Sequence, residues 1–591
     1  MSERRWRFLY SALVIIRVLF AFKGTGYIHP DEIFQNPEIA AGYVWNTTDV
    51  FTAWEFDPAF PCRSIVPVFS TTTWVFLLLK FLHPHASALL VFAAERTSFL
   101  LLSFVVDYIV AKLRRPGLDR YRTLALLSSS HALLTYQLRP FSNSIELVLL
   151  AALLALVNHM RAHCEVVEVK VKTDIDLTAT HLGWLSQWNT SAFLFGVILA
   201  LGVFTRITFV AFAFPCGLAF LALSWKRACR GERPAERKLL SLLAAVLKAA
   251  LPAAFAFLFT CLLVATTDTL YFHPFKSSST LWSAPSLISH IFSNFTLTPL
   301  NSLRYNLRTE NLAQHGLHPR WLHALVNAPM VLGVGNWVLV AKATYSNLRS
   351  HWFRNSKVQR GTTSGTKGST ENFMSTVYLL IILSGVGILS LQPHQEPRFL
   401  LPLLVPTTLL VSDSLVPQRL GIRARRAFLF LHVAQHAVLA IFLGFLHQGG
   451  VIPAISFISD FVSGISPSQD IGSFTVIFWK TFMPPRHLLV PAAVNRVPKI
   501  VDLGGSVPSA VAQTIASLFA SGARTPTLLV VPSYAVAPLS EALKLTKSLD
   551  MRWEKVETFA PHMNMDDLAE ALALGAEGFT LQLYRIYTAD Q

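Results

Sequence analysis

Long apolar runs alternate with short polar blocks along most of this chain. Apolar runs lie at 8–25, 65–83, 86–111, 123–138, 144–159, 192–205, 207–224, 239–266, 325–342, 375–392, 399–415 and 427–447. A helix that crosses a bilayer needs roughly 20 apolar residues, with a tolerance of several. The pattern predicts an α-helical polytopic membrane protein with about 11–13 transmembrane helices. One stretch breaks the count. An odd number of crossings must separate 24–63 from Lys112, yet two runs fill that interval. Either 86–111 hides two short helices, or one run lies in the interface.

The polar blocks orient the runs. One basic block holds Lys112, Arg114, Arg115, Arg120 and Arg122, and a second holds Lys226, Arg227, Arg230, Arg233, Arg237 and Lys238. A third holds Lys342, Arg349, Arg354, Lys357, Arg360 and Lys367, and a fourth Arg419, Arg423, Arg425 and Arg426. The positive-inside rule puts all four in the cytoplasm, together with the basic N-terminus. The first run continues into Lys23-Gly24-Thr25-Gly26 without a small-residue cleavage site, so it predicts an uncleaved span. Residues 24–63, the turns near Arg139 and Arg206, 267–324, 393–398 and the tail after about 448 then face the lumen. Of three glycosylation sequons, Asn46 and Asn294 fall on that side and Asn189 in the cytosol.

The membrane pattern covers 1–450, and 451–591 is a lumenal C-terminal region. The loop 343–372 is basic and rich in Gly, Ser and Thr, which predicts a disordered cytosolic segment. From about Asn495 the pattern turns to short strands and helices. Thr527 to Ser533 and Phe579 to Tyr587 read as strands, and Pro538 to Leu549 and Asp566 to Leu574 as helices. These predict a small lumenal α/β domain. Gly504-Gly505 is followed by no GxGxxG, so a nucleotide site is weakly supported there.

Composition agrees with the membrane reading: 52% of 591 residues are hydrophobic and only 14% are charged. The net charge of +16 sits in the cytoplasmic blocks rather than on one folded face, which argues against nucleic acid. The five cysteines have no CxxC and no metal-like spacing, so neither a disulfide framework nor a structural zinc is expected.

Candidate chemistry gathers on the lumenal side. His29-Pro-Asp-Glu32 sits at the lip of the first span, and ionisable groups held near a bilayer are functional candidates by default. Gln35, Arg139, Glu146, Arg206, Asn311, His315, His318, His394 and Arg398 lie on the same side. A carboxylate beside arginines fits group transfer from a lipid-linked phosphate. The arginines would hold the phosphate, and the carboxylate would take a proton from an acceptor hydroxyl. Blander readings exist for each. Arg139 and Arg206 could snorkel to headgroups, and Glu146 could pair for structure. Asp31 and Glu32 could be solvated loop charges. His315 and His318 lack a carboxylate at a familiar metal spacing, so no metal is assigned. A transporter would place its charges near the midplane, often within inverted repeats. Here they lie at helix ends and no repeat relates the halves. A non-catalytic scaffold is the third class of reading.

Tyr27-Ile-His-Pro-Asp-Glu-Ile-Phe-Gln-Asn-Pro-Glu38 resembles the first-loop motif of the dolichyl-phosphate-mannose-dependent mannosyltransferases. These are multispanning endoplasmic reticulum enzymes with the GT-C fold (glycosyltransferase family 22). Arg139-Pro-Phe-Ser-Asn-Ser-Ile-Glu146 and His394-Gln-Glu-Pro-Arg-Phe399 resemble two further motifs, in the right order. The most similar branch adds the fourth mannose of glycosylphosphatidylinositol (GPI) precursors. Its resemblance extends to Trp54-Glu-Phe56, Pro299-Leu-Asn301, Asn311 to Arg320 and Pro561 to Leu568. The third-mannose branch and the N-glycan precursor enzymes are the alternatives.

The resemblance implies an inverting single displacement from dolichyl-phosphate mannose to the third mannose of a GPI precursor, giving an α-1,2 linkage. No metal or nucleotide cofactor is implied, and the sequence identifies no partner subunit. Asp31 is the implied base. Glu32 is the alternative, or a partner that holds the acceptor, and His29 orients the group. Arg398, with His394, is the first choice for the donor phosphate, ahead of Arg139 and Arg206. Asn311, His315, His318 and Gln35 are assigned to the acceptor site.

Overall fold

The computed structural model describes residues 2–172, 178–229, 239–275, 284–314, 316–355, 367–415, 420–463, 474–490, 498–520, 527–545 and 551–588. It is a bundle of apolar helices followed by a mixed α/β unit. Among the described residues, seven helices are long and apolar enough to cross a bilayer: Ala88–Leu113, Ser142–Glu165, Ser186–Thr205, Phe209–Ala228, Leu239–Phe272, Phe373–Ser390 and Ile422–Leu446. Val66–Leu82, His323–Leu332 and Val451–Phe461 are apolar but shorter. Glu3–Lys23 and Val334–Asn355 are long, but both carry charged residues. In the first of these, buried Arg17 donates to Asp107 at 2.9 and 3.2 Å, so its charge is paired rather than stranded in the apolar layer.

The structure removes one of the two alternatives left open at 86–111 and redraws two of the runs. Ala88–Leu113 is one continuous helix, so 86–111 does not hide two. The run 123–138 is divided into Leu118–Ser128 and His131–Leu134. The break falls at Ser128-Ser129-Ser130, where the Ser129 hydroxyl bonds the Leu126 carbonyl and competes with helix propagation. The run 399–415 begins as a 3-10 helix, Pro397–Leu403, before Leu404–Ser414; in an α-helix the Pro402 ring would clash with the carbonyl four residues earlier. Helices also reach into the loop read as disordered. Val334–Asn355 and Lys367–Ser390 enter it from both sides, and 356–366 lies outside the described residues.

The C-terminal unit is a five-stranded sheet in the order β2-β1-β3-β5-β4. Its strands are β1 Thr475–Phe478, β2 Lys499–Asp502, β3 Thr527–Pro532, β4 Met551–Phe559 and β5 Leu581–Thr588. β1 pairs in parallel with β2 and β3, while β5 runs antiparallel to β3 and β4. The sheet therefore starts at Thr475, ahead of the expected start near Asn495. β1 and β3 are buried along their whole length because both faces are covered. Ile477, Leu529 and Val531 pack on Val511 and Ile515 of the helix Pro508–Ala520 and on Leu539 of the helix Ser533–Leu545. The alternate residues Val476, Phe478, Leu528 and Val530 share a core with Ile33, Phe34, Ile39 and Val91. That second core joins the sheet to the short helices that carry the acidic motif.

Those short helices follow from two prolines. Pro30 caps Asp31–Phe34, and Pro37 occupies the first turn of Pro37–Trp45. A proline there loses no hydrogen bond and presets the helical φ. The segment entering them is pinned from behind. Gly26 N–H donates to the Gly444 carbonyl at 2.8 Å, and Tyr27 N–H to the His447 carbonyl at 2.8 Å.

Candidate active site

A cleft of about 370 Å³ opens between the acidic motif, the 54–63 loop, the helix Thr298–Asn306 and residues 392–399. His29, Asp31, Gln35, Arg206, His394 and Arg398 line it, together with Glu55, Arg63 and Glu396. These residues come from segments hundreds of positions apart, so the site exists only in the folded chain.

Asp31 is its centre. Asp31 Oδ2 lies 2.6 Å from Arg398 Nη1, and Gln35 Nε2, one helical turn on, donates to the same oxygen at 2.5 Å. His29 Nδ1 lies 3.6 Å from Asp31 Oδ1 and accepts the Asp31 backbone N–H at 3.2 Å. The Asp31 side chain stays 28% exposed, toward the cleft. Burial alone would raise its pKa. The Arg398 guanidinium, and then His29, more than reverse this and hold the carboxyl below its ordinary range. Asp31 is therefore ionised at neutral pH.

Arg398 is the second centre. Its Nε and Nη2 donate to Glu396 at 2.5 and 2.9 Å, a fork onto one carboxylate, while Nη1 faces Asp31. Glu396 also takes a 2.8 Å bond from His394 Nε2, and His29 Nε2 lies 3.7 Å away. Burial opposes ionisation of Glu396, but Arg398 and the His394 bond hold its pKa well below the usual carboxylate range. His29 is pushed down by burial and by Arg398, which favours its neutral form.

A second cationic group flanks this cluster. Arg206 Nη1 and Arg63 Nη1 both donate to Ser142 Oγ, at 3.2 and 3.0 Å. Arg63 Nε binds Glu55 at 2.9 Å. Arg206 Nε lies 3.5 Å from buried Glu146, whose other oxygen accepts from Thr208 at 3.0 Å. Ser142 Oγ donates to Gln35 Oε1 at 3.3 Å and so links both arginines to the Asp31 helix.

Other sequence candidates lie elsewhere. Glu32 and Arg139 do not line the cleft. They are 1% and 2% exposed and bind each other at 2.9 and 3.2 Å. Asn311 donates to the Tyr305 carbonyl at 3.1 Å, behind the cleft wall. His318 Nδ1 accepts from the Gln395 backbone at 3.3 Å and buttresses the His394 segment. His315 lies outside the described residues. The sequence reading gave no role to Glu396 or Arg63. Glu396 stands between two assigned residues in one motif, which was the available signal. Arg63 had no signal beyond its side of the membrane.

Residues 8–491 match the Alg9-like mannosyltransferase family. The chain belongs to that family. It is 32% identical to "GPI alpha-1,2-mannosyltransferase 4" of Homo sapiens over 535 residues, which cover 86% of this chain and 81% of the human one. It is 29% identical to "GPI mannosyltransferase 4" of Aspergillus oryzae, covering 98% and 97% of the two chains. The Saccharomyces cerevisiae protein of that name is 27% identical, with 96% of each chain covered. Among solved structures, ArnT from Cupriavidus metallidurans bound to undecaprenyl phosphate aligns over 98% of both chains, at 11% identity and a TM-score of 0.41. That likeness is too distant to carry an argument. As a mannosyltransferase, this chain is a polytopic membrane enzyme whose cleft pairs ionised Asp31 with Arg398 and holds Arg206 and Arg63 beside them.

Proposed function

We propose that this enzyme transfers the fourth mannose of the GPI precursor, from dolichyl-phosphate mannose to the third mannose, in the endoplasmic reticulum membrane. The names of its relatives support the acceptor and the α-1,2 linkage. The observation that carries the chemistry is the Asp31–Arg398 contact of 2.6 Å inside the shared cleft.

Asp31 accepts the proton of the acceptor hydroxyl while that oxygen attacks the anomeric carbon. The bond from the anomeric carbon to the phosphate oxygen breaks, and the phosphate leaves on the lipid with the bonding pair. One displacement inverts the anomeric centre. Arg398 and Arg206 stabilise the charge gathering on the leaving phosphate, with Arg63 beside them. An incoming phosphate competes with Asp31 for Arg398. Losing that contact makes Asp31 a stronger base at the moment the donor is seated. In this scheme the lipid-linked sugar is a substrate, and the reaction needs no metal or nucleotide.

Cells lacking the protein test this reading. A precursor with three mannoses should accumulate and disappear on re-expression. A two-mannose precursor would instead assign the third-mannose step, and unchanged precursors would overturn the reading.

A further inference from the structure

Trp54 and Tyr305 form an aromatic wall in the cleft for which the transfer chemistry has no use. Their rings stack 4.3 Å apart at 29°, and both line the cleft beside Asp31 and Arg398. Trp54 nonetheless keeps 44% of its surface exposed.

The wall is rigidly built. Trp54 opens the 3-10 turn Trp54–Phe56, whose Phe56 is buried. The Glu55 carbonyl accepts from Cys62 and Arg63 N–H at 2.8 and 3.1 Å, closing the loop on itself. Asn301 Nδ2 donates to the Pro61 carbonyl at 3.0 Å, which ties the Tyr305 helix to that loop. Asn311 Nδ2 holds the Tyr305 carbonyl from the other side at 3.1 Å. Aromatic surface held in place before binding loses little side-chain entropy when a ligand arrives.

We infer that Trp54 and Tyr305 are the platform on which a mannose ring of the acceptor glycan lies. The inference rests on the proposed mannosyl transfer. A pyranose presents a face of C–H bonds and an edge of hydroxyls. Its C–H face complements the negative face of an aromatic ring. Glu55, Ser302, Asn306 and Gln392 line the cleft with the two rings and offer both donors and acceptors for the hydroxyl edge. A lipid chain laid there would cover those polar groups and offer them no hydrogen bond in place of water. A phosphate would meet the negative ring faces and Glu55, whose charge is already paired with Arg63, whereas Arg206 and Arg398 offer it cations in the same cleft. The wall therefore selects an acceptor with a sugar long enough to cover it.

Full-length protein in lipid nanodiscs tests this with Trp54→Leu and Trp54→Phe, two apolar side chains of which only the second has a π face. Initial rates are measured with dolichyl-phosphate mannose and a synthetic trimannosyl glycolipid. Saturation-transfer NMR follows a soluble mannotrioside. Trp54→Leu should raise the acceptor KM about five- to tenfold. It should leave the donor KM and kcat within about twofold, and Trp54→Phe should recover most of the loss. Mannotrioside saturation should vanish in the Leu variant and persist in the Phe variant. An unchanged acceptor KM, or a raised donor KM instead, overturns the platform. Normal transfer by Trp54→Leu would sink the platform and leave the proposed function standing. Trp54-dependent mannotrioside binding without any transfer to the glycolipid would do the reverse. If Trp54→Leu does not accumulate, Tyr305→Leu against Tyr305→Phe makes the same comparison from the helix side.

Discussion

Glu32 and Arg139 are locked to each other at 2.9 and 3.2 Å in the protein interior, and Arg139 also donates to the Leu443 carbonyl at 3.0 Å. Asp31, one residue earlier, faces the cleft instead. Two adjacent carboxylates thus have different work, and substitutions separate them. Asp31→Asn should lower transfer by about 10²-fold or more with normal accumulation and melting. Glu32→Gln leaves Arg139 buried without its counter-charge and should destabilise the protein by about 3–5 kcal/mol. A transfer assay beside a thermal melt in detergent checks both. Normal transfer by Asp31→Asn removes Asp31 as the base.

Arg398→Ala should do two things. The donor KM should rise, since the cation proposed to bind the phosphate is lost. The acidic limb of the kcat/KM profile for the donor, which reports the free enzyme, should also move to higher pH, because Arg398 is what holds Asp31 below its ordinary pKa before the donor is seated. An acidic limb that stays where it was would mean that Asp31 does not set it.

His487 joins the C-terminal unit to the membrane helices. It lies 3.2 Å from Glu38 and 2.8 Å from Glu95, all fully buried. Burial lowers its pKa, but the bonds to Glu38 and Glu95 outweigh this and raise it to about 9. A raised folded pKa stabilises fully below the unfolded value near 6.5, and that stability is lost as pH rises through about 9. Melting temperature should fall between pH 7 and 10, and His487→Gln should remove most of that slope. A parallel slope in the variant would exclude His487 as its source.

Gly26 has no room for a side chain. A Cβ there would sit 2.5 Å from the Leu443 carbonyl oxygen and 2.7 Å from Gly444 backbone. Gly26→Ala should push the entry to the His29 motif away from its support and cost about 1–3 kcal/mol, although no cleft residue changes. Activity should fall further than stability alone explains, which paired melts and rates would reveal.

Orientation is open to a glycan test. Asn46 and Asn294 should carry glycan and Asn189 should not, as read by a mobility shift on endoglycosidase treatment. Glycan on Asn189 would reverse the assigned sides around that helix.

The sequence by itself determined that the chain is a helical membrane protein with a small terminal α/β unit, because hydrophobic periodicity acts locally and survives without tertiary context. It also determined the chemical vocabulary of the site: an acidic pair, arginines and histidines in three ordered motifs. Tertiary structure decided which of those residues meet. Asp31 and Glu32 are neighbours in the chain, but a helix turns about 100° per residue, so they project differently and find Arg398 and Arg139 respectively. Arg139 read as a phosphate ligand because its long-range partner, Glu32, is invisible along the chain. In the cleft, Arg63 meets Ser142 and Tyr305 meets Trp54, partners far away in sequence. Pairings at such separations depend on how helices pack, and no local pattern encodes that.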